Sequence, residues 1–171
     1  MILIVGGPSG CGKSTVGSYI ADKLSLPFVE ADTLHPAANV AKMSAGIPLQ
    51  DADRLPWLST LHQVAVQHAE TDGGCVMTCS ALKRSYRTIL QGDREDVYFV
   101  FLQVDEDALL KRMETRSGHF MKKDMLASQL HDLEIPSKEE SNCVVLDASK
   151  SIADTQKQVL DHARSIQHAS A

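Results

Sequence analysis

The residues with the clearest chemical potential lie near the start of the chain, where Gly7-Pro8-Ser9-Gly10-Cys11-Gly12-Lys13-Ser14 fits the pattern G-x-x-x-x-G-K-[ST]. Glycines let the backbone adopt strained angles and turn its N–H groups toward an anion. A lysine ammonium at this position reaches terminal phosphates, and the serine hydroxyl can ligate Mg²⁺. The pattern predicts a nucleoside triphosphate site with Ser14 as metal ligand, formed by Gly7, Ser9, Gly10, Cys11, Gly12, Lys13, Ser14 and Thr15.

The flanking sequence predicts the strand and the helix that such a loop requires. Ile2-Leu3-Ile4-Val5 is a continuous apolar run, and after Lys13 apolar residues recur at helical spacing. The positive end of the helix dipole would add to the attraction for phosphate. A chance glycine-rich turn is the alternative, but four fixed positions between a strand and a helix are far more specific than isolated glycines.

Asp32 is the main candidate for orienting or deprotonating an acceptor hydroxyl opposite the γ-phosphate. It is the last residue of a short predicted strand, residues 27–32, that ends in acidic residues. Phosphoryl transfer needs positioning and charge neutralisation more than covalent chemistry, so one carboxylate facing the loop is sufficient. Glu30, two residues earlier, is expected to point to the same side of the strand and could hold Mg²⁺ through water. The alternative for Asp32 is an exposed loop carboxylate or a helix cap.

Arginine and lysine residues elsewhere in the chain could neutralise anionic ligands. Arg112 and Arg116 are four residues apart on a predicted helix, just before a glycine-containing segment. A mobile lid, placed around residues 117–124, would carry these arginines over the triphosphate, although a solvated basic stripe is the simpler interpretation. A second anion could be bound by residues that singly are more typical of a solvated surface, namely Lys42, Arg54, Lys83, Arg84 and Arg87.

Composition indicates an ordinary globular chain. Its 171 residues, 43% of them hydrophobic, suit one domain over residues 1–171, and no apolar run reaches the roughly 20 residues of a membrane span. A formal net charge of −5 argues against general nucleic-acid binding. The four cysteines form no C-x-x-C pair and are expected to be reduced. Because Met1 directly precedes the first strand, we expect no leader segment and a cytosolic location.

Strands alternating with helices predict an α/β fold, with a five-stranded, mainly parallel sheet and helices on both faces. The predicted strands lie at 2–5, 27–32, 75–79, 97–104 and 143–146. Residues 46–54 are expected to form a loop in which Asp53 caps the next helix. Ligands bind beyond the carboxyl ends of parallel strands, so the phosphate loop, Asp32 and Ser80 should converge on one edge of the sheet.

Five segments of the chain resemble the gluconokinases, P-loop kinases that phosphorylate D-gluconate. In chain order they are residues 31–39 (ADTLHPAAN), Lys42-Met43 with residues 46–49 (GIPL), residues 51–58 (DADRLPWL), residues 79–83 (CSALK) with Tyr86-Arg87, and residues 118–121 (GHFM) with Ser128-Gln129. The resemblance implies transfer of phosphate from ATP, with Mg²⁺, to the 6-hydroxyl of D-gluconate, giving 6-phospho-D-gluconate for the pentose phosphate pathway. It also implies a fold like that of shikimate and nucleoside monophosphate kinases.

The same resemblance assigns roles to individual residues. Lys13, Asp32, Arg112 and Arg116 become the catalytic candidates, and the lid would include Gly118-His119-Phe120. The substrate candidates become Asp32, His35, Lys42, Arg54, Ser80, Lys83, Arg87 and His119. Such kinases are often homodimers. Two alternatives stay open: a related kinase for another sugar acid or a shikimate-like acceptor, and a nucleotide-responsive regulatory protein that has lost catalysis.

Overall fold

The computed structural model describes residues 1–114 and 123–169, in which strands alternate with helices. The strands are β1 (Ile2–Gly6), β2 (Phe28–Glu30), β3 (Cys75–Thr78), β4 (Val97–Gln103) and β5 (Cys143–Asp147). The helices are α1 (Lys13–Leu24), a 3₁₀ helix (Ala31–Leu34), α2 (Ala37–Ser44), α3 (Asp51–Thr71), α4 (Arg84–Gln91), α5 (Glu106–Glu114), α6 (Lys123–Asp132) and α7 (Ile152–Ala169). Within these residues, no helix is both long and apolar enough to cross a membrane.

The strands form one parallel sheet in the order β2-β3-β1-β4-β5. β1 is central, and its Ile2 is in register with Cys75 of β3 and Val97 of β4. All five residues of β1 are buried, as expected for a continuous apolar run that is covered on both faces. The predicted five-stranded parallel sheet is therefore confirmed.

Different helices cover the two faces of the sheet, and successive β1 side chains point to opposite faces. One apolar cluster contains, from β1 and α3, Ile2, Ile4, Trp57, Leu58 and Leu61. The other contains, from β1, α1 and α7, Leu3, Val5, Val16, Ile20 and Val159. Packing on both sides fixes the end of β1, from which the phosphate loop begins.

Two local expectations need correction. α3 begins at Asp51, so the predicted loop ends earlier, and Asp53 is the third helical residue rather than the cap. Gln50 caps the helix, and its backbone N–H donates to Asp53 Oδ2 at 2.9 Å, which completes a reciprocal capping box. The chain also turns into the 3₁₀ helix directly after Glu30, so Glu30 and Asp32 do not share one side of a strand.

Candidate active site

The phosphate loop, residues 7–14, has the backbone that its glycines predict. Gly7, Gly10 and Gly12 have φ angles of 134°, 84° and 98°. A Cβ atom on Gly7 would lie 2.7 Å from the carbonyl oxygen of Leu102, so a side chain there meets both backbone strain and a close contact. Gly12 is the N-cap of α1, which directs the positive end of that helix at the loop.

Lys13 folds back along this loop, where its Nζ atom donates to the carbonyl oxygen of Pro8 at 3.0 Å. The Ser9 N–H donates to Oε1 of Gln129 on α6 at 2.8 Å. Cys11 is buried, and its sulfur would lie 2.8 Å from a Cβ on Gly7. The Cys11 side chain therefore supports the loop from within, whereas the ammonium of Lys13 is already beside the groups that would hold phosphate.

The main cavity, of about 410 Å³, opens between the phosphate loop and the elements that follow β2 and β3. Its polar lining includes, among the predicted residues, Ser9, Gly10, Gly12, Lys13, Ser14, Asp32, His35, Arg54 and Ser80. Its apolar wall consists of Val40, Met43, Pro48, Leu49, Trp57 and Met125. The structure thus brings the loop, Asp32 and Ser80 to one edge of the sheet, as the strand pattern predicted.

His35 is held between α2 and α3 at the wall of the main cavity. Its ring stacks on Trp57 with centroids 3.9 Å apart, and Trp57 Nε1 donates to the carbonyl oxygen of Ala31 at 3.0 Å. His35 Nδ1 lies 3.3 Å from Nδ2 of Asn39, and Nε2 lies 3.9 Å from Oδ1 of Asp32. Burial lowers the pKa of His35; the charge of Asp32 raises it, and that of Arg54 lowers it.

Arg54 lines the main cavity from the first turns of α3. Its Nη1 donates to the hydroxyl of Tyr86 at 3.2 Å and to Oδ2 of Asp132 at 3.4 Å. The Tyr86 hydroxyl donates in turn to Oδ1 of Asp51, which also accepts from Lys83 Nζ at 3.0 Å. Through these bonds the guanidinium is fixed by residues of α3, α4 and α6.

Three other predicted cations do not line the main cavity, because carboxylates of the chain hold them elsewhere. Lys42 donates to Asp53 at 2.7 Å. This hydrogen bond is the main reason why the pKa of Asp53 is lowered, and the charge of Lys42 adds to it. Lys83 is paired with Asp51, which raises the pKa of the lysine. Arg87 is a buried residue of α4 and makes a bidentate pair with Glu140, so the structure does not bring it to the substrate candidates.

A second cavity, of about 290 Å³, lies on the other side of the phosphate loop. It combines Thr15 and Arg112, both predicted nucleotide ligands, with Ala148, Lys150, Ile152 and Thr155 from the segment after β5. Arg112 Nη2 donates to the carbonyl oxygen of Ala148 at 2.9 Å. Gly10 and Gly12 line both cavities, so the two spaces meet at the loop.

The chain is similar to known kinases over most of its length. The shikimate kinase family model matches residues 9–165. A gluconokinase from Gluconobacter oxydans (strain 621H) is 48% identical over 138 residues, which cover 81% of this chain and 78% of that protein. The thermosensitive gluconokinase of Escherichia coli (strain K12) is 42% identical over 155 residues, covering 91% and 83%. This chain belongs to the gluconokinase family of P-loop kinases.

Solved structures of gluconokinase relatives agree with this membership. A crystal structure of a gluconokinase from Sinorhizobium meliloti 1021 is 41% identical, with a TM-score of 0.87 over 99% of this chain and 95% of that one. An unliganded sugar kinase from Janibacter sp. HTCC2649 is 37% identical, with a TM-score of 0.86 over 97% and 93%. The resemblance indicated by the sequence motifs and the kinase fold are both confirmed.

The donor chemistry of the main cavity fits Mg²⁺, a hard cation that prefers oxygen ligands. Ser14 and Glu30 supply a hydroxyl and a carboxylate to its lining, and Glu30 accepts a hydrogen bond from the Thr78 hydroxyl. Among the described residues no group of three or more His, Cys, Asp or Glu could form a metal cage. Mg²⁺ in kinases uses few protein ligands and relies on phosphate and water oxygens, so this donor set is compatible with it.

Several residues of the site escaped the sequence-based selection. Asn39 and Gln129 lie in segments that carried the family resemblance, so those motifs could have pointed to them. The sequence did not show that Asn39 contacts His35 or that Gln129 contacts the phosphate loop. Asp132 had no signal, since its link to Arg54 spans 78 residues. The predicted lid falls largely outside the described residues, as do Arg116 and His119.

Proposed function

We propose that the chain is an ATP-dependent gluconokinase, which transfers the γ-phosphate of ATP to the 6-hydroxyl of D-gluconate. One observation supports the proposal: in a member of the gluconokinase family, Lys13 and Ser14 of the phosphate loop line the same cavity as Asp32 and Arg54. A triphosphate-binding loop, a carboxylate and a guanidinium are the groups that a kinase for an anionic polyol requires. The products are 6-phospho-D-gluconate and ADP.

ATP binds along the phosphate loop. Backbone N–H groups of the loop and the Lys13 ammonium hold the phosphates, and Lys13 exchanges its bond to Pro8 for one to a phosphate oxygen. The nucleoside part extends into the second cavity, beside Thr15 and Arg112. The Ser14 hydroxyl would ligate Mg²⁺ and Glu30 would hold it through water; the ion would neutralise phosphate charge.

D-Gluconate occupies the opposite side of the main cavity. Arg54 binds its carboxylate. A guanidinium has five N–H donors, and the bonds to Tyr86 and Asp132 both use Nη1, which leaves the donors on the other two nitrogens for this carboxylate. Lys42, Lys83 and Arg87 support the cavity walls through their own ion pairs rather than by direct contact. His35 and Ser80 offer hydrogen bonds to the hydroxyl groups of the sugar acid.

Asp32 accepts the proton of the attacking hydroxyl or holds that hydroxyl in line with the γ-phosphate. Lys13, the N-terminus of α1 and Arg112 stabilise the charge that develops on the transferred group. The proposal includes the lid around residues 117–124, with Arg116 acting on the phosphates and His119 on the acceptor. We also propose one kinase domain over residues 1–171, a cytosolic location and a homodimeric state, the last tested by sedimentation of the purified protein.

The test is ADP release from Mg-ATP with D-gluconate, other aldonic acids, shikimate and nucleoside monophosphates as separate acceptors. Selective release with D-gluconate, and 6-phospho-D-gluconate among the products, is the expected result. Asp32→Asn should keep ATP binding but lose most turnover. The matched control is Asp22→Asn on α1, where the side chain is 77% exposed and away from both cavities, and this variant should behave as wild type.

Each other outcome identifies a different failure. Turnover with another sugar acid or shikimate alone would keep the kinase and replace its substrate. ATP binding without turnover of any acceptor would favour a nucleotide-responsive regulatory protein. Full activity of Asp32→Asn would remove the carboxylate from the mechanism while leaving the acceptor assignment intact.

A further inference from the structure

Asn39, which the proposed function leaves without a role, lies on α2 and is buried against α3 and His35. Its Nδ2 atom lies 2.9 Å from the backbone carbonyl oxygen of Asp53 and 3.3 Å from Nδ1 of His35. A carbonyl oxygen can only accept a hydrogen bond, so the atom of Asn39 that faces it must be the amide nitrogen. The bond to Asp53 therefore fixes which way the amide points.

The fixed amide determines where His35 carries its proton. An amide nitrogen only donates, so Nδ1 of His35 must accept from Asn39 and cannot itself be protonated. A neutral imidazole has one protonated nitrogen, which leaves the proton on Nε2. Stacking on Trp57 holds the ring plane, so the Nε2–H group is directed along a fixed line on the Asp32 side.

His35 Nε2–H and the Asp32 carboxylate then offer a hydrogen-bond donor and a hydrogen-bond acceptor side by side in the main cavity. Nε2 and Oδ1 of Asp32 are 3.9 Å apart, too far for a direct hydrogen bond, but one oxygen atom can lie about 2.8 Å from both. A hydroxyl group suits this position, because it accepts from Nε2–H and donates to the carboxylate at once. A carboxylate or ketone oxygen there could not donate to Asp32.

We propose that Asn39 is a positioning residue: it holds neutral His35 with its proton on Nε2, so that His35 and Asp32 together bind one hydroxyl group of the acceptor. The proposal rests on the proposed function for the identity of the acceptor but not for the state of His35. Burial is the main influence on the pKa of His35 and lowers it; of the two charged side chains that act on the imidazole, Asp32 raises this pKa and Arg54 lowers it. The neutral form is thus the one present at pH 7.

The first test observes His35 directly by two-bond ¹H–¹⁵N correlation NMR, which distinguishes the two neutral tautomers and the imidazolium. The wild type should show a protonated Nε2 and a bare Nδ1. Asn39→Asp replaces the donor by a carboxylate that accepts, so the proton should move to Nδ1 or the ring should become an imidazolium with a raised pKa. An unchanged His35 spectrum in Asn39→Asp would overturn the proposal.

Asn142→Asp is the matched control. Asn142 is partly buried, and its Nδ2 donates to a backbone carbonyl, that of Val97, at 3.1 Å, but it lies outside both cavities. It undergoes the same chemical change and a comparable loss of a structural bond, so it should leave the His35 tautomer and the KM for D-gluconate unchanged. A similar shift of the His35 signals in Asn142→Asp would show that general destabilisation, and not Asn39, sets the tautomer.

Kinetics supply the second test. Asn39→Asp should lower kcat/KM for D-gluconate about tenfold, the value of one well-placed hydrogen bond, and leave the KM for ATP unchanged. The acid limb of its pH profile should move to higher pH, because His35 would stay protonated longer beside a new carboxylate. Equal losses for both substrates without a pH shift would indicate a merely structural role and overturn the proposal.

If Asn39→Asp fails to fold, His35→Gln and His35→Asn test the same geometry. A glutamine amide nitrogen approximates the position of Nε2, whereas that of asparagine approximates Nδ1. His35→Gln should therefore keep the KM for D-gluconate within a few-fold of wild type, and His35→Asn should raise it about tenfold. The reverse order would contradict the proposal. Should no acceptor be turned over at all, the proposed function fails while the NMR result still decides the role of Asn39.

Discussion

Arg87 provides the sharpest distinction between a substrate ligand and a structural residue. Its Nε and Nη2 atoms donate to the two oxygens of Glu140 at 2.7 and 2.8 Å, and Nη1 donates to the carbonyl oxygens of Ala81 and Leu82. The side chains of Arg87 and Glu140 are only 3% and 10% exposed. The pair therefore ties α4 and the segment after β3 to the loop that precedes β5.

Arg87→Met should destabilise the fold without changing substrate affinity. Removing one partner of a buried ion pair costs about 3 to 5 kcal/mol, because the remaining charge stays buried without compensation. Here the substitution would leave the Glu140 carboxylate and the Ala81 carbonyl without their main donor, whereas the Leu82 carbonyl keeps its bond from the backbone N–H of Glu134 at 2.8 Å. The double variant Arg87→Met/Glu140→Leu should recover much of the loss, since no unpaired charge remains.

The loss should depend on pH in a defined direction. The Arg87 hydrogen bonds hold the pKa of Glu140 below its ordinary value of 4.5. A carboxyl group with a lowered pKa in the folded protein stabilises the fold above its unfolded pKa, and that contribution is lost as the pH falls through the folded value. The stability difference between wild type and Arg87→Met should therefore be full at pH 7 and narrow below pH 4.5.

Urea unfolding at pH 7 and at pH 4, followed by circular dichroism, measures both effects. The matched control is Arg84→Met, which removes an ion pair with Glu139 in the same part of the structure, but one with side chains 54% and 76% exposed. It should cost no more than about 1 kcal/mol. If Arg87→Met instead raises the KM for D-gluconate with a stability change as small as that of Arg84→Met, the structural reasoning is refuted.

Three further predictions concern the phosphate loop and the core. Lys13→Met should abolish most transfer and weaken ATP binding by calorimetry while leaving the unfolding midpoint near that of wild type; unchanged turnover would contradict the role given to the ammonium. Gly7→Ala should destabilise by more than about 1 kcal/mol in urea unfolding, because φ is 134° and the new Cβ would meet Leu102. Burial raises the pKa of the Cys79 thiol to about 12. Iodoacetamide at pH 8 should therefore label Cys79 far more slowly in the native than in the unfolded protein, which mass spectrometry would measure. Equal labelling rates would mean that the thiol is not buried.

The sequence alone determined the features that depend on local chemistry. The G-x-x-x-x-G-K-[ST] pattern specifies its own backbone, because glycines take up the left-handed angles and the apolar residues on either side form a strand and a helix with little choice. Continuous apolar runs likewise predicted the strands of a parallel sheet, and the carboxyl ends of those strands predicted where Asp32 and Ser80 would meet the loop. The family motifs then pointed to gluconokinases before any contact was known.

The tertiary structure decided which charged residues remain directed at the cavity. In the sequence Arg54 and Arg87 look alike, yet one lines the main cavity and the other is held by Glu140, 53 residues away. Asn39 acquires its role only because His35 and the Asp53 carbonyl meet at its amide. Motifs and periodicity report neighbours along the chain, whereas an ion pair or a fixed tautomer depends on partners that folding brings from distant segments, so these assignments required the three-dimensional arrangement.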